Sequence, residues 1–279
     1  MAALLLLAAA LAGPAGSSAQ SSPSPSPSPS ATPNAIGPAF GANDPCTSLS
    51  VLVSRPTVTS SVCTVRPNHV LIETGYLNTS FEAGGGSVSA PQALIRIGTA
   101  IPALELQVAP PGLMRTRGNG GAIAASTDTG AGLKYVFGYT PKFNYGGQAF
   151  FTAPTGLNGG SSNGTTAAYG LNGGFTLSSA FSLATTLTAS SQTNGTQRWS
   201  SFAPSLVLGA ALPNATGLYA EWAQTSNATG PASATRTQYM FGLYRDLGQR
   251  LQLDASAALS PTAATGTYRA VGVGVSYYF

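Results

Sequence analysis

The final stretch of the chain, Tyr268 to Phe279, alternates in side-chain type without interruption. Val271, Val273, Val275, Tyr277 and Phe279 fall on one face, and Ala270, Gly272, Gly274, Ser276 and Tyr278 on the other. A period of two belongs to a β-strand. One face is broad and apolar and the other mostly small, which suits a strand with lipid outside and a crowded interior within. Taken alone, the stretch also fits the last strand of a soluble β-sandwich.

Composition separates the two. Only 7% of residues are charged, against the ~25% usual for soluble domains, so few charges are available to cover a water-exposed surface. After the amino terminus no apolar run reaches the ~18 residues that a spanning helix needs. A membrane protein without spanning helices has to be a closed barrel, because lipid offers no partner to unpaired backbone groups. The net charge of +4 is modest and the arginines are scattered without aromatic interleaving, so no nucleic-acid surface is read here.

Residues 1–19 read as a secretory signal, with an apolar core from Ala3 to Ala12 and small residues at Ser17-Ser18-Ala19. No Lys or Arg precedes that core. Residues 20–45 form a tether whose Ser-Pro repeat, Ser22 to Ser30, favours extended polyproline II. Cys46 and Cys63 lie in the exported part, where disulfides persist, and read as one bridge closing a periplasmic segment, 46–63. Two unpaired thiols are the alternative; a metal site is disfavoured, since His69 is the only histidine and no CxxC spacing occurs. Thr47 to Val53 predicts a short helix ended by Arg55-Pro56, placed at or partly inside the periplasmic mouth of the barrel.

From His69 onward short alternating segments are separated by Gly, Pro, Asn and Ser clusters. The pattern predicts strands near 69–81, 90–98, 103–110, 128–138, 143–153, 166–177, 180–190, 200–212, 216–226, 236–246, 250–259 and 267–279. Their number is even, as in single-chain bacterial barrels. Connections alternate in length: stretches such as 82–89, 111–127, 154–165 and 191–199 face tight turns such as 139–142, 178–179 and 247–249. The expected fold is therefore an all-β, twelve-stranded antiparallel transmembrane barrel over 64–279, with both termini in the periplasm of a bacterial outer membrane.

Facing follows from the alternation. Aromatics such as Tyr135, Phe137, Tyr145, Phe151, Tyr239 and Phe241 fall on the lipid side, and Glu73, Arg96, Glu105, Lys134, Glu221 and Asp254 point into the lumen. An Arg or Lys aimed at lipid near the midplane costs ~2–4 kcal/mol in a barrel. These six either pair internally and stiffen a packed interior or line a polar path that selects solutes. Arg96 and Glu105 flank one turn and are placed to pair across it. Gly272 and Gly274 leave room beside Glu73, which makes the closing seam the expected place for a path. Catalysis is poorly supported: acyl chemistry generally needs an activating histidine, and His69 begins the first strand with no partner nearby in sequence.

Several short motifs then occur in order: Cys46, Arg55-Pro56, Cys63, Arg66-Pro67, Glu73-Thr74-Gly75-Tyr76, Pro91 to Gly98, Leu104-Glu105-Leu106, Gly130 to Tyr135 and Pro154-Thr155-Gly156. Their order and spacing resemble the outer-membrane transporter family named for the MetA pathway of phenol degradation. The resemblance spans Cys46 to about Gly156. It implies an outer-membrane barrel admitting small, often aromatic, solutes. The aromatic end at Tyr277 and Phe279 likewise resembles the terminal signal that the barrel-assembly machinery reads. The expectation is thus a channel for passive uptake of a small solute, with no cofactor. Its partners are outer-membrane lipid and lipopolysaccharide, the assembly machinery, the solute and, in an oligomer, further copies of the barrel. A sealed barrel presenting Arg115 and Arg117 to lipopolysaccharide or another partner is the structural alternative, and an outer-membrane hydrolase a remoter one.

Overall fold

The computed structural model describes residues 44–279 apart from 83, 119, 120, 229, 232, 234 and 262–266. The expected signal, most of the tether and two residues of the connection expected over 111–127 lie outside the described residues. Within them the chain forms one short helix, α1 (Leu49–Leu52), and fifteen strand segments. The segments are β1 (Val70–Phe81), β2 (Gly86–Ala90), β3 (Leu94–Gly98), β4 (Leu104–Ala109), β5 (Leu113–Gly118), β6 (Gly121–Ser126), β7 (Thr129–Tyr139) and β8 (Phe143–Ala153). They continue with β9 (Thr166–Thr176), β10 (Phe181–Thr193), β11 (Arg198–Leu212), β12 (Thr216–Thr225), β13 (Arg236–Leu247), β14 (Leu251–Ser260) and β15 (Tyr268–Tyr278).

These fifteen segments make a closed barrel of twelve antiparallel staves, because three staves are each broken in two: β2 leads into β3, β4 into β5 and β6 into β7. Closure is made by β15 against β1, in register from Leu71↔Tyr278 to Phe81↔Tyr268. Every backbone polar group of the wall can then pair within the barrel, the condition lipid imposes. Prolines account for two of the breaks. Pro91 follows β2, and Pro110 and Pro111 follow β4, where the missing N–H interrupts the ladder. The interruptions lie side by side and are bridged by Gln92 N to Gly75 O at 2.9 Å, Gly112 N to Thr127 Oγ1 at 2.8 Å and Thr127 N to Gly112 O at 2.9 Å. Gly112 is required there, since a Cβ would lie 2.5 Å from the Pro91 carbonyl oxygen.

The stave count agrees with the sequence pattern, but the connections do not all agree. The excursion expected over 111–127 is instead the β5–β6 hairpin, which carries two staves beyond the break. The long connections expected at 82–89 and 191–199 shrink to 82–85 and 194–197, because β2, β10 and β11 run on through them. Gly and Ser at 86–89 and Ser191 signal turns, and here the backbone ladder with a long neighbour overrides that signal. At this end 154–165, 226–235 and 261–267 remain long, against 140–142, 213–215 and 248–250 at the end that carries the carboxy terminus.

The expected faces are observed. Leu171 (60%), Phe241 (63%) and Val273 (55%) are exposed on the outside, whereas Glu73, Arg96, Glu105 and Ser276 have no exposed surface at all. The lumen is not empty. The stretch from Asp44 to Arg66 runs inside the barrel, where Leu49 and Leu52 of α1 pack with Val53 and Val65 on the disulfide, Leu71 and Tyr278. The disulfide-closed segment, expected at or partly inside the periplasmic mouth, runs within the lumen and continues past Cys63 to the start of β1.

Candidate functional site: the lumen and its inner segment

Three barrel charges hold the inner segment against the wall formed by β1, β3 and β4. Arg96, on β3, sits between Glu73 on β1 and Glu105 on β4: Nη1 is 2.7 Å from Glu73 Oε1 and Nε is 2.8 Å from Glu105 Oε1. Arg96 pairs diagonally with Glu105, because its direct cross-strand partner is Gln107. The guanidinium uses its remaining donors on the inner segment, with Nη1 to Leu52 O at 2.6 Å and Nη2 to Cys63 O at 2.7 Å. One side chain thereby ties both ends of the 52–63 loop to the wall. The carboxylates are satisfied from the same segment. Glu73 accepts from the Ser54 and Arg55 amides at 3.1 and 2.9 Å, and Glu105 accepts from the Val65 amide at 2.7 Å and from Gln107 Nε2 at 2.8 Å. A fork-shaped donor that meets two carboxylates and two carbonyls is what the planar guanidinium is suited to.

Further round the wall the contacts become sparser. Lys134 on β7 donates to Ser61 O at 2.8 Å, and the Asn144 amide on β8 lies 3.7 and 3.6 Å from the sulfurs of Cys46 and Cys63. The disulfide is present, closing a sequence separation of 17; a loop of that size is worth roughly 3 kcal/mol in the chain-entropy model. On the far wall Glu221 of β12 accepts the Val58 and Thr59 amides at 2.9 and 2.6 Å, while Thr59 Oγ1 meets Ser205 Oγ at 2.8 Å and the Ser60 amide meets Thr186 Oγ1 at 3.0 Å. The tip of the loop, 58–60, therefore reaches right across the lumen.

Asp254, on β14, is the odd member of the set. It receives no backbone amide from the inner segment; its neighbour is Arg55, whose Nε lies 3.8 Å from Asp254 Oδ2. The Arg55 side chain lies over Gly75 of β1 and Gly274 of β15, which face each other in register, and a Cβ on Gly274 would be 2.6 Å from Arg55 Nε. The space expected at the closing seam is thus partly filled. Gly274 accommodates Arg55, and only Gly272, one inward position further along, opens on a cavity.

Two cavities flank the inner segment. One, of about 190 Å³, lies between Val53, Thr59 and Val62 of the segment and the small residues Gly174, Ala184 and Gly209 of the wall. The other, of about 280 Å³, is bounded by Pro56 and Val58 together with Leu77, Gln92, Met240 and Ser256. Arg55 lines both.

The charge set read from alternation is therefore lumenal throughout, but it divides: Glu73, Arg96, Glu105 and Lys134 gather on one wall, Glu221 stands across from them, and Asp254 stands apart with Arg55. Arg55 was legible only as a helix-ending Arg-Pro and part of a motif. The available signal was its rarity, as the one charged side chain between Asp44 and Arg66. His69 stacks on Tyr278, with ring centroids 5.0 Å apart, and its Nδ1 lies 2.9 Å from Pro67 O. Tyr277 and Phe279 pack edge to face at the carboxy-terminal end, with centroids 4.6 Å apart, and the Phe279 amide donates to Val70 O at 2.8 Å.

No family model matches the chain, and no curated protein matches it. Solved structures do. An outer membrane channel from Pseudomonas putida F1 superposes with a TM-score of 0.64 over 80% of this chain and 100% of that one, at 12% identity. The NanC porin gives 0.55 over 74% and 98%, at 8% identity, and the KdgM porin 0.52 over 74% and 99%, at 11%. At such identities the likeness is one of fold, and the fold is that of the outer-membrane β-barrel channels.

Proposed function

We propose that this protein is an outer-membrane channel that lets a small solute cross passively beside an anchored inner segment. The observation that carries the reading is the combination of an apolar outer surface with a polar lumen in which the segment is fastened mainly to one wall, leaving cavities against the others. A barrel built only for rigidity would fill that space with side chains; here Gly174, Ala184 and Gly209 leave it open. The similar solved barrels include a channel and two porins. The motif resemblance to the phenol-degradation family makes aromatic solutes one class to test. Recording ion current through the refolded full chain in planar bilayers tests the reading. Discrete conductance steps are expected, and their absence at every voltage, together with no solute-driven swelling of loaded liposomes, would remove it.

The same reading gives roles to the remaining surface. Arg115 and Arg117 of β5 are exposed beyond the stave break and suit the phosphates of lipopolysaccharide. Tyr277 and Phe279 suit recognition by the assembly machinery. Pull-down of Phe279→Ser against the parent sequence would check the second role.

A further inference from the structure

Alternate inward residues of β14 report where the lumen is divided. Gln252 lines the 190 Å³ cavity, Ser256 and Ala258 line the 280 Å³ cavity, and Asp254 between them lines neither. Arg55 covers it and borders both spaces. The partition between the cavities is therefore the Arg55–Asp254 pair.

The pair is incompletely satisfied. The Asp254 side chain is wholly buried and neither carboxylate oxygen makes a hydrogen bond, and Arg55 Nε makes none either. Arg55 keeps only a 3.4 Å contact from Nη2 to Val273 O and the 3.8 Å approach to Asp254. A buried carboxylate without donors is costly and attracts one. The unmet groups are a donor and two acceptors side by side, of zero net charge together. An anion would be opposed by Asp254 and a cation by Arg55, whereas a hydroxyl can donate to the carboxylate and accept from Nε at once. The remaining polar lining is neutral, supplied by side chains such as Thr57, Ser182, Gln92, Gln238 and Ser256.

We infer that the Arg55–Asp254 partition is a binding site for the hydroxyl groups of a small neutral polyol, and that these two residues set the solute preference of the channel. This rests on the channel reading and names its substrate class. A modest shift of the guanidinium along the Gly75 and Gly274 backbone admits the hydroxyl between the two charges and joins the cavities.

The test uses the full refolded chain in planar bilayers, with xylitol as probe and gluconate and glucosamine as charged probes of similar size. Xylitol is expected to reduce the ion current at concentrations where neither charged probe does. Removing one charge-assisted hydrogen bond should raise the half-blocking concentration about tenfold or more in Arg55→Ala and, independently, in Asp254→Asn. Heat-modifiable migration on gels confirms that each variant barrel folds; two variants on different elements guard against one misfolding. Unchanged xylitol block in the folded variants, or equal block by gluconate, overturns the inference while leaving the channel intact. Absence of any ion current in the parent protein overturns the channel reading itself.

Discussion

Two arginines of the lumen, Arg96 and Arg55, are held in opposite conditions. Arg96 uses its whole guanidinium: two carboxylates and two backbone carbonyls take its protons at 2.6–2.9 Å. Arg55, on the inner segment, has one long contact to a carbonyl and a loose approach to Asp254. The same side chain serves as a fastener in one place and as a partition in the other. What separates them is how many acceptors the surrounding backbone supplies. The inner segment turns its Leu52 and Cys63 carbonyls toward Arg96, and opposite Arg55 the wall offers two glycines and a single carboxylate.

The comparison is broken most forcefully at Arg96. Arg96→Met leaves Glu73 and Glu105 buried without their cation, and removal of one partner of a buried ion pair typically costs about 3–5 kcal/mol. Thermal unfolding followed by gel migration should shift markedly downward, and the inner segment should detach, giving larger and noisier current steps. Arg55→Met also leaves Asp254 without its cation, but it removes only a 3.8 Å approach and one long carbonyl contact, so the fall should be clearly smaller; equal losses at the two sites would erase the distinction.

Next in size is the disulfide. Reduction, or Cys46→Ser with Cys63→Ser, removes a cross-link worth roughly 3 kcal/mol. The barrel wall should persist while limited proteolysis begins to cut within 46–63, because the bridge acts on the segment and not on the staves. Glu221→Gln is expected to have a smaller effect. It keeps one acceptor for the Val58 and Thr59 amides and loses the charge assistance, about 1–2 kcal/mol. Mobility of the loop tip, seen by a spin label at Val58, should rise while the Arg96 end stays fixed.

The smallest effect lies outside the membrane. Asp128, at the break between β6 and β7, is partly buried, which raises its pKa, but this is outweighed by hydrogen bonds from the Ser162 hydroxyl and amide and the Gly156 amide, so its carboxyl sits below the usual range. A depressed folded value means that its stabilisation is fully present above the unfolded pKa of ~3.9 and is lost as pH falls through the lower folded value. Amide exchange at Gly156 and Ser162 should therefore accelerate only in strong acid, and Asp128→Asn should abolish that pH dependence. A loop released near neutrality would contradict the assignment.

Much of this was readable from residue order. Strict alternation in β14 and β15, scarce charge and the absence of spanning apolar runs required a barrel, because in lipid only a closed ladder satisfies the backbone. The same alternation placed Glu73, Arg96, Glu105, Lys134, Glu221 and Asp254 inside, since they alternate with apolar residues of the outer face, as Arg96 does with Ile95 and Ile97 and Glu105 with Leu104 and Leu106. The stave breaks were harder to see. Pro91 fell inside the strand expected over 90–98 and Pro111 in the connection expected over 111–127, and only pairing with adjacent staves built β2, β5 and β6 beyond them. Backbone pairing leaves little trace in side-chain identity.

What residue order determined, then, was the period, the count of staves and the inward charges, all properties of a chain relative to itself. What only the tertiary structure decided was the destination of 44–66, and with it the division of labour between Arg96 and Arg55. Those roles depend on which carbonyls and amides come within about 3 Å of each charge, and that distance is created by folding a segment back through a lumen formed by residues as far away as Glu221 and Asp254.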